Sequence, residues 1–195
     1  MARPVEYDRD TVLTQAIRVF ARHGYEAAST RDLTEGMGMA RQSLYGAFGD
    51  KHGLFLEALR SYSARSLAQI QVALNAGNPC LDALEAALLV GLGNAEDLES
   101  GCLGLSSIME FSRSDPDVSA QNDLAGRATI AAFAARIGQG IEEGEVTAGT
   151  DPNAAGRLML TLRSGLKIAA RAGATDPELR ATARLALSAI CARAG

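Results

Sequence analysis

Two short helix-forming segments joined at glycine, between Ser29 and Phe48, constrain this chain more than any other feature. Ser29-Thr30-Arg31-Asp32 has the spacing of a capping box, in which the Ser hydroxyl and the carboxylate three residues on satisfy each other's orphan backbone amides. The helix it opens turns Leu33 and Met37 to one face and is broken at Gly36-Met37-Gly38-Met39. Arg41-Gln42-Ser43-Leu44-Tyr45-Gly46-Ala47-Phe48 then makes a second helix with Leu44 and Phe48 inward. Two helices of about two turns joined at a glycine form a helix-turn-helix unit. Ordinary helical hairpins in bundles and DNA readers share that pattern.

The flanks are helical too. Between Asp8 and His23, Leu13, Ala16, Ile17 and Phe20 repeat every three to four residues behind an Asp suited to N-capping. Arg22-His23-Gly24 supplies cationic side chains and a left-handed cap at the other end, which is also the economical role for His23. Gly49-Asp50-Lys51 opens a longer helix running to about Asn75, with Leu54, Phe55, Ala58, Leu59 and Tyr62 on one stripe and His52 exposed in its first turn. Downstream the helical pattern is interrupted at Gly77-Asn78-Pro79, Glu99-Ser100-Gly101, Ser114-Asp115-Pro116, Glu143-Gly144-Glu145, Gly149-Thr150-Asp151-Pro152 and Ala174-Thr175-Asp176-Pro177. At the Asp-Pro steps, Asp is expected as the cap of a helix whose first position suits Pro. The expectation is an all-α chain of about nine helices, residues 1–52 forming a small helix-turn-helix domain and residues 53–195 a larger helical one.

Composition agrees and narrows the function. Of 195 residues, 47% are hydrophobic but only 5% aromatic, so Ala and Leu carry the packing, which favours helices over sheets. No apolar run reaches the roughly 18 residues that span a bilayer, and Met1-Ala2-Arg3-Pro4-Val5-Glu6 holds no apolar signal core, so a cytoplasmic protein is expected. Cys80, Cys102 and Cys191 are odd in number and lack metal-type spacing, so free thiols and no metal are expected. The net charge of −4 is uneven: residues 1–52 balance seven cations (Arg3, Arg9, Arg18, Arg22, Arg31, Arg41, Lys51) against seven acids, and the excess acid lies downstream. Charge therefore permits nucleic-acid binding without indicating it.

The segments Gly24-Tyr25-Glu26-Ala27-Ala28-Ser29-Thr30-Arg31-Asp32-Leu33, Met37-Gly38-Met39 and Ser43-Leu44-Tyr45-Gly46-Ala47-Phe48-Gly49-Asp50-Lys51 together resemble the DNA-binding signature of the tetracycline-repressor-like (TetR/AcrR) transcriptional regulators. The resemblance covers about residues 8–60. Gly101-Cys102-Leu103, opening a mid-chain helix that ends in Glu110, is similar to the family's ligand-domain layout. It implies a homodimeric repressor in which three N-terminal helices bind double-stranded operator DNA. A linking fourth helix carries motion, and a C-terminal domain takes a small-molecule inducer; no cofactor and no catalytic residue are implied. Position by position, Arg41, Gln42, Ser43 and Tyr45 fall on the exposed face of the recognition helix. Thr30, Arg31 and Lys51 fall where the family contacts phosphates. Arg can bond guanine and Gln adenine in the major groove, while hydroxyls and Lys suit phosphates. Where the family has Ser or Asn this chain has Ala40, so its recognition helix lacks the usual cap.

For the inducer, Met109, Phe111, Phe133, Met159 and Leu162 are candidate apolar walls, though helical spacing suits plain core as well, and Cys102 is the residue opening the pocket helix. Glu110 and Arg113 are candidate polar orienting groups or, equally, a surface ion pair at i, i+3. Leu158, Leu162, Leu166, Leu185, Leu187 and Ile190, on helices expected over 151–173 and 176–194, are expected to pair with a second copy in a four-helix interface giving half-sites one DNA turn apart. Two alternatives remain: a regulator answering a thiol oxidant or soft metal through Cys102, and a small helical enzyme, for which the C-terminal part offers no His and no nucleophile–base motif.

Overall fold

A computed structural model describes residues 8–92 and 102–191. Arg3, the break at Glu99-Ser100-Gly101 and the end of the last expected helix at Ala194 lie outside the described residues. Among the described residues the protein is all-helical: α1 (Arg9–Ala27), α2 (Thr30–Met37), α3 (Arg41–Phe48), α4 (Lys51–Leu74), α5 (Cys80–Leu89), α6 (Leu103–Phe111), α7 (Pro116–Glu142), α8 (Pro152–Arg171) and α9 (Asp176–Ser188). One isolated antiparallel bridge joins Val146 to Cys191. None of the described helices is long and apolar enough to cross a membrane.

The helix ends follow the local chemistry. Asp8 caps α1 by accepting from the Asp10 N–H, and α1 is interrupted at Gly24, whose φ of 79° and ψ of 176° are not helical. The capping box of α2 is present: the Asp32 amide donates to Ser29 Oγ at 3.1 Å, and the Ser29 amide to Asp32 Oδ2 at 2.8 Å. The Asp32 carboxyl is held below its ordinary range, chiefly by the Ser29 hydroxyl and then by the Ser29 amide. Gly38, left-handed at φ 61°, ends α2 and turns the chain into α3. Asp115 caps α7, accepting from Asp117 and Val118, and Asp151 caps α8, accepting from Asn153. At α9 the expectation fails. Thr175 is the capping residue and Asp176 already lies inside the helix, because the Glu178 carboxylate accepts from the Thr175 amide at 2.7 Å and sets the start one residue earlier.

The chain forms two compact units. Among the described residues, the first comprises 8–63 and 102–122, so α6 and the start of α7 pack with the N-terminal helices despite their distance in sequence. Its core holds Phe20, Leu33, Leu44, Leu54, Phe55, Leu59 and Leu103. Each such large side chain stabilises by about 1.5–3 kcal/mol when fully buried. The second unit comprises 64–92 and 123–191, around Leu84, Leu88, Phe133, Ile137, Met159 and Leu187. Within it, buried Arg163 donates to the carbonyls of Ala87, Leu88 and Val90 at 2.9–3.0 Å and so closes the C-terminal end of α5. Glu85, mostly buried on α5, accepts from Arg184 of α9 at 2.8 Å.

Candidate nucleic-acid interface

Helices α2 and α3 are short, so their positions come from packing rather than intrinsic stability. Leu33 and Met37 of α2 and Leu44 and Phe48 of α3 are buried in the first core, which fixes which faces remain outward. α2 also lies close against α1: a Cβ at Gly36 would sit 2.7 Å from Val19 Cγ2. With Leu44 and Phe48 inward, Arg41, Gln42 and Ser43 are all exposed in the first turn of α3. Ala40 precedes them and makes no side-chain capping bond, so the missing cap expected from the sequence is a feature of the fold.

Two contacts organise this outward face. Thr30 Oγ1 of α2 and Tyr45 Oη of α3 lie 3.1 Å apart, tying the two helices at the surface, and the Tyr45 hydroxyl is held below its ordinary range first by that Thr30 bond. The Arg41 guanidinium lies over the Tyr45 ring, 5.4 Å from its centroid. Cation–π contacts of this kind contribute about 0.5–1 kcal/mol at exposed sites, enough to bias the Arg41 rotamer without locking it. Arg31 pairs with Glu35 at 2.7 Å in a solvent-exposed contact of the kind that adds little stability, so its charge remains at the surface.

Lys51, at the start of α4, donates to the Glu26 carbonyl at 3.3 Å and lies 4.6 Å from the Tyr25 ring centroid. The Tyr25 ring in turn contacts Phe55 and Phe111, each with centroids 5.1 Å away. Its hydroxyl is pushed up from its ordinary value by burial first and then by neighbouring carboxylates. His52, expected as a bare exposed residue, is half-buried. Its Nε2 lies 2.8 Å from Asp115 Oδ2, and the backbone amides of Val118 and Asp117 help hold that carboxyl low. The sequence pattern misses this pair because its partners stand 63 residues apart.

The residues expected around an inducer are spread over both units. Cys102, Met109, Glu110, Phe111 and Arg113 belong to the first; Phe133, Met159 and Leu162 belong to the second. Met109 is 82% exposed and forms no interior wall within its own unit, because the α6 stripe facing the core runs through Leu103 and Ser107. Phe111 joins the aromatic cluster of Tyr25 and Phe55. Glu110 is engaged by the backbone: its carboxylate accepts from the Tyr25 amide at 2.7 Å and the Glu26 amide at 2.8 Å. Arg113 is exposed just beyond α6. Cys102 stands at the N-cap position of α6 without a side-chain capping bond, its Sγ 3.0 Å from Tyr62 Oη. Phe133 and Met159 are fully buried in the second core, with Leu162 packed against it. Among the described residues no cluster of three His, Cys, Asp or Glu side chains is placed to hold a metal.

The expected dimer residues also divide. Leu166, Leu187 and Ile190 are buried in the chain's own core and offer no surface to a partner, since they fill the spaces among α5, α8 and α9. Leu162 is partly covered, while Leu158 and Leu185 are 45% and 75% exposed. Ile168, at 60%, is an exposed apolar residue of α8 that the leucine pattern passed over.

Comparison with known proteins agrees with this geometry. Residues 12–58, which contain α2 and α3, match the family model for bacterial regulatory proteins of the tetR family. An uncharacterised helix-turn-helix transcriptional regulator of Bacillus subtilis (strain 168), YezE, is 30% identical over 193 residues, 97% of this chain and 100% of that one. The transcriptional repressor ComR of Escherichia coli (strain K12) is 29% identical across 91% of this chain and 86% of its own. Among solved structures, a cysteine mutant of the TetR-family regulator CifR in complex with a 26-base-pair operator duplex superposes with a TM-score of 0.79 at 31% identity, covering 96% of this chain and 99% of that one. With the helix pair, its buried scaffold and full-length relatives in agreement, the chain belongs to the tetR family of bacterial regulatory proteins and is a DNA-binding transcriptional regulator rather than an enzyme.

Proposed function

We propose that the protein is a cytoplasmic repressor that binds a pseudo-palindromic operator as a homodimer and leaves it when a small molecule binds. The observation that carries this reading is the outward first turn of α3, where Arg41, Gln42 and Ser43 stand exposed on a helix anchored from behind by Leu44 and Phe48. In the major groove Arg41 pairs with guanine and Gln42 with adenine, while Thr30, Arg31, Ser43, Tyr45 and Lys51 serve phosphates. CifR bound to operator DNA and the repressors ComR and BdcR of Escherichia coli support the repressor reading. Residues 1–52 serve as the DNA-binding domain and residues 53–195 as the ligand-binding and dimerisation domain, with Leu158, Leu185 and Ile168 offering apolar surface to the second copy. Ligand and operator then weaken each other by the same factor, since the coupling is reciprocal.

The test is enrichment of duplexes from a random-sequence pool with the purified protein. The reading expects two inverted half-sites with centres about 34–36 Å apart, one turn of DNA. Failure to enrich any sequence, or enrichment of a single unrepeated element, overturns it. A second reading, release by thiol chemistry, is favoured by one contact, the approach of the Tyr62 hydroxyl to Cys102 Sγ at 3.0 Å. Under a mild oxidant it expects wild type to leave the enriched duplex while Cys102→Ser stays bound; equal behaviour of the two excludes it.

A further inference from the structure

Glu110 lies in the last turn of α6, 84 and 85 residues beyond the backbone amides it serves. Both of its carboxylate oxygens are used: Oε2 accepts from the Tyr25 amide at 2.7 Å and Oε1 from the Glu26 amide at 2.8 Å. Those amides follow Gly24, where α1 is interrupted, so the helical turn that resumes at Tyr25 begins with orphan donors. A carboxylate across two such amides is the charge-assisted form of an N-terminal cap. The two capped residues are the ones that hold Lys51. The Glu26 carbonyl accepts from its ammonium at 3.3 Å, and the Tyr25 ring lies 4.6 Å beneath it. Phe111, next to Glu110, packs on the same Tyr25 ring with centroids 5.1 Å apart.

We infer that Glu110 is a positioning residue of the DNA interface, fixing the Tyr25–Glu26 turn so that the ammonium of Lys51 is held ready for a backbone phosphate. A lysine ammonium has three donors. One on the Glu26 carbonyl aims the group and leaves the others for a phosphate oxygen. The carboxylate stays on the backbone amides, so it orders the turn without itself meeting the DNA. Glu110 thereby links the end of α6 to the grip on DNA rather than to a ligand group. The inference rests on the reading of Lys51 as a phosphate-binding residue.

The experiment is a double-mutant cycle on the duplex enriched by wild type, using E110Q, K51M and the double variant, with affinity measured across a salt series. Glutamine keeps the size of the side chain but turns an NH2 group toward one of the two backbone donors. E110Q is expected to weaken binding about fivefold, within the coupling range of groups sharing one hydrogen-bond network. K51M is expected to weaken it about tenfold and to flatten the salt dependence, whose log–log slope falls by about 0.9 for each phosphate the protein no longer neutralises. The double variant should bind no more weakly than K51M. Equal loss from E110Q with and without Lys51, or no loss from E110Q at all, overturns the inference while leaving the Lys51 reading in place. Unchanged affinity and slope in K51M remove that reading and the inference with it. Amide exchange gives an independent readout: in E110Q the Tyr25 and Glu26 amides should exchange faster while those of the Phe20 core do not, and unchanged exchange at Tyr25 and Glu26 likewise overturns it.

Discussion

Replacing Gly24 with alanine tests the backbone turn whose Tyr25 and Glu26 contact Lys51. Gly24 sits at φ 79° and ψ 176°, a region that residues with a Cβ scarcely enter. Holding alanine there costs about 1–3 kcal/mol. The new Cβ would also lie 3.0 Å from both carboxylate oxygens of Glu110. The carboxylate must draw back, loosening its two bonds to the Tyr25 and Glu26 amides, at a further cost of about 1–2 kcal/mol. The sum, about 2–5 kcal/mol, corresponds to a fall in melting temperature of roughly 4–20 °C for a chain of this size. Thermal and denaturant unfolding followed by circular dichroism measure it, with Gly24→Ala made both in wild type and in Glu110→Ala. Without the carboxylate only the strain remains, so the penalty should shrink by about 1–2 kcal/mol. A wild-type penalty below about 0.5 kcal/mol, the range of an ordinary surface substitution, would refute the strained-turn reasoning. An equal penalty in both backgrounds would refute the crowding.

Three further outcomes are expected. Removing the buried guanidinium in Arg163→Met strands carbonyls at the end of α5 and should lower stability by about 2–4 kcal/mol, read by denaturant unfolding; a loss under about 1 kcal/mol would contradict the capping role. Asp115 and Asp32 have carboxyl groups held below their ordinary value of 3.8, Asp115 first by the Val118 amide and Asp32 first by the Ser29 hydroxyl. Their stabilisation is therefore complete above the ordinary carboxylate range and is lost as pH falls through the lowered folded values. Asp115→Asn should be less stable at neutral pH and lose less on acidification to pH about 3 than wild type does; parallel acid-unfolding curves would contradict this. Tyr45→Phe keeps the ring under Arg41 but removes the hydroxyl paired with Thr30, so it should weaken duplex binding less than Tyr45→Ala, and the reverse order in a binding titration would contradict the arrangement.

The parts of this protein legible in its sequence are those set by local rules. The Ser29–Asp32 box, the Gly38 turn and the Leu33, Met37, Leu44 and Phe48 faces each depend on residues within one or two turns, so the helix pair is readable from the chain alone. Even the missing cap at Ala40 is visible in that way. What the pattern does not give is long-range. In the sequence Glu110 reads as a polar group for a ligand or as a surface partner of Arg113 one turn on, while in the fold it serves amides 84 and 85 residues away. His52 finds Asp115 in the same manner. Arg163 offers a faint signal, a cation on the apolar stripe of Met159 and Leu166, but which carbonyls it meets depends on how α5 ends beside α8. Leucine spacing alone also does not separate Leu158 and Leu185, which remain exposed, from Leu166 and Leu187, which their own core consumes. At Thr175 the error is local: Asp-Pro and Thr-x-x-Glu signals overlap by one residue, and the carboxylate of Glu178 decides between them.

The central claim is that the exposed first turn of α3 reads bases. It is tested most directly by titrating wild type and Arg41→Ala against the enriched duplex and against a set in which each base pair is changed in turn. Arg41→Ala is expected to lose about 1–3 kcal/mol of binding per half-site, to lose discrimination at one G·C pair in each half, and to remain the same oligomer in solution. Equal affinity of the two proteins, with discrimination intact at every position, would contradict it.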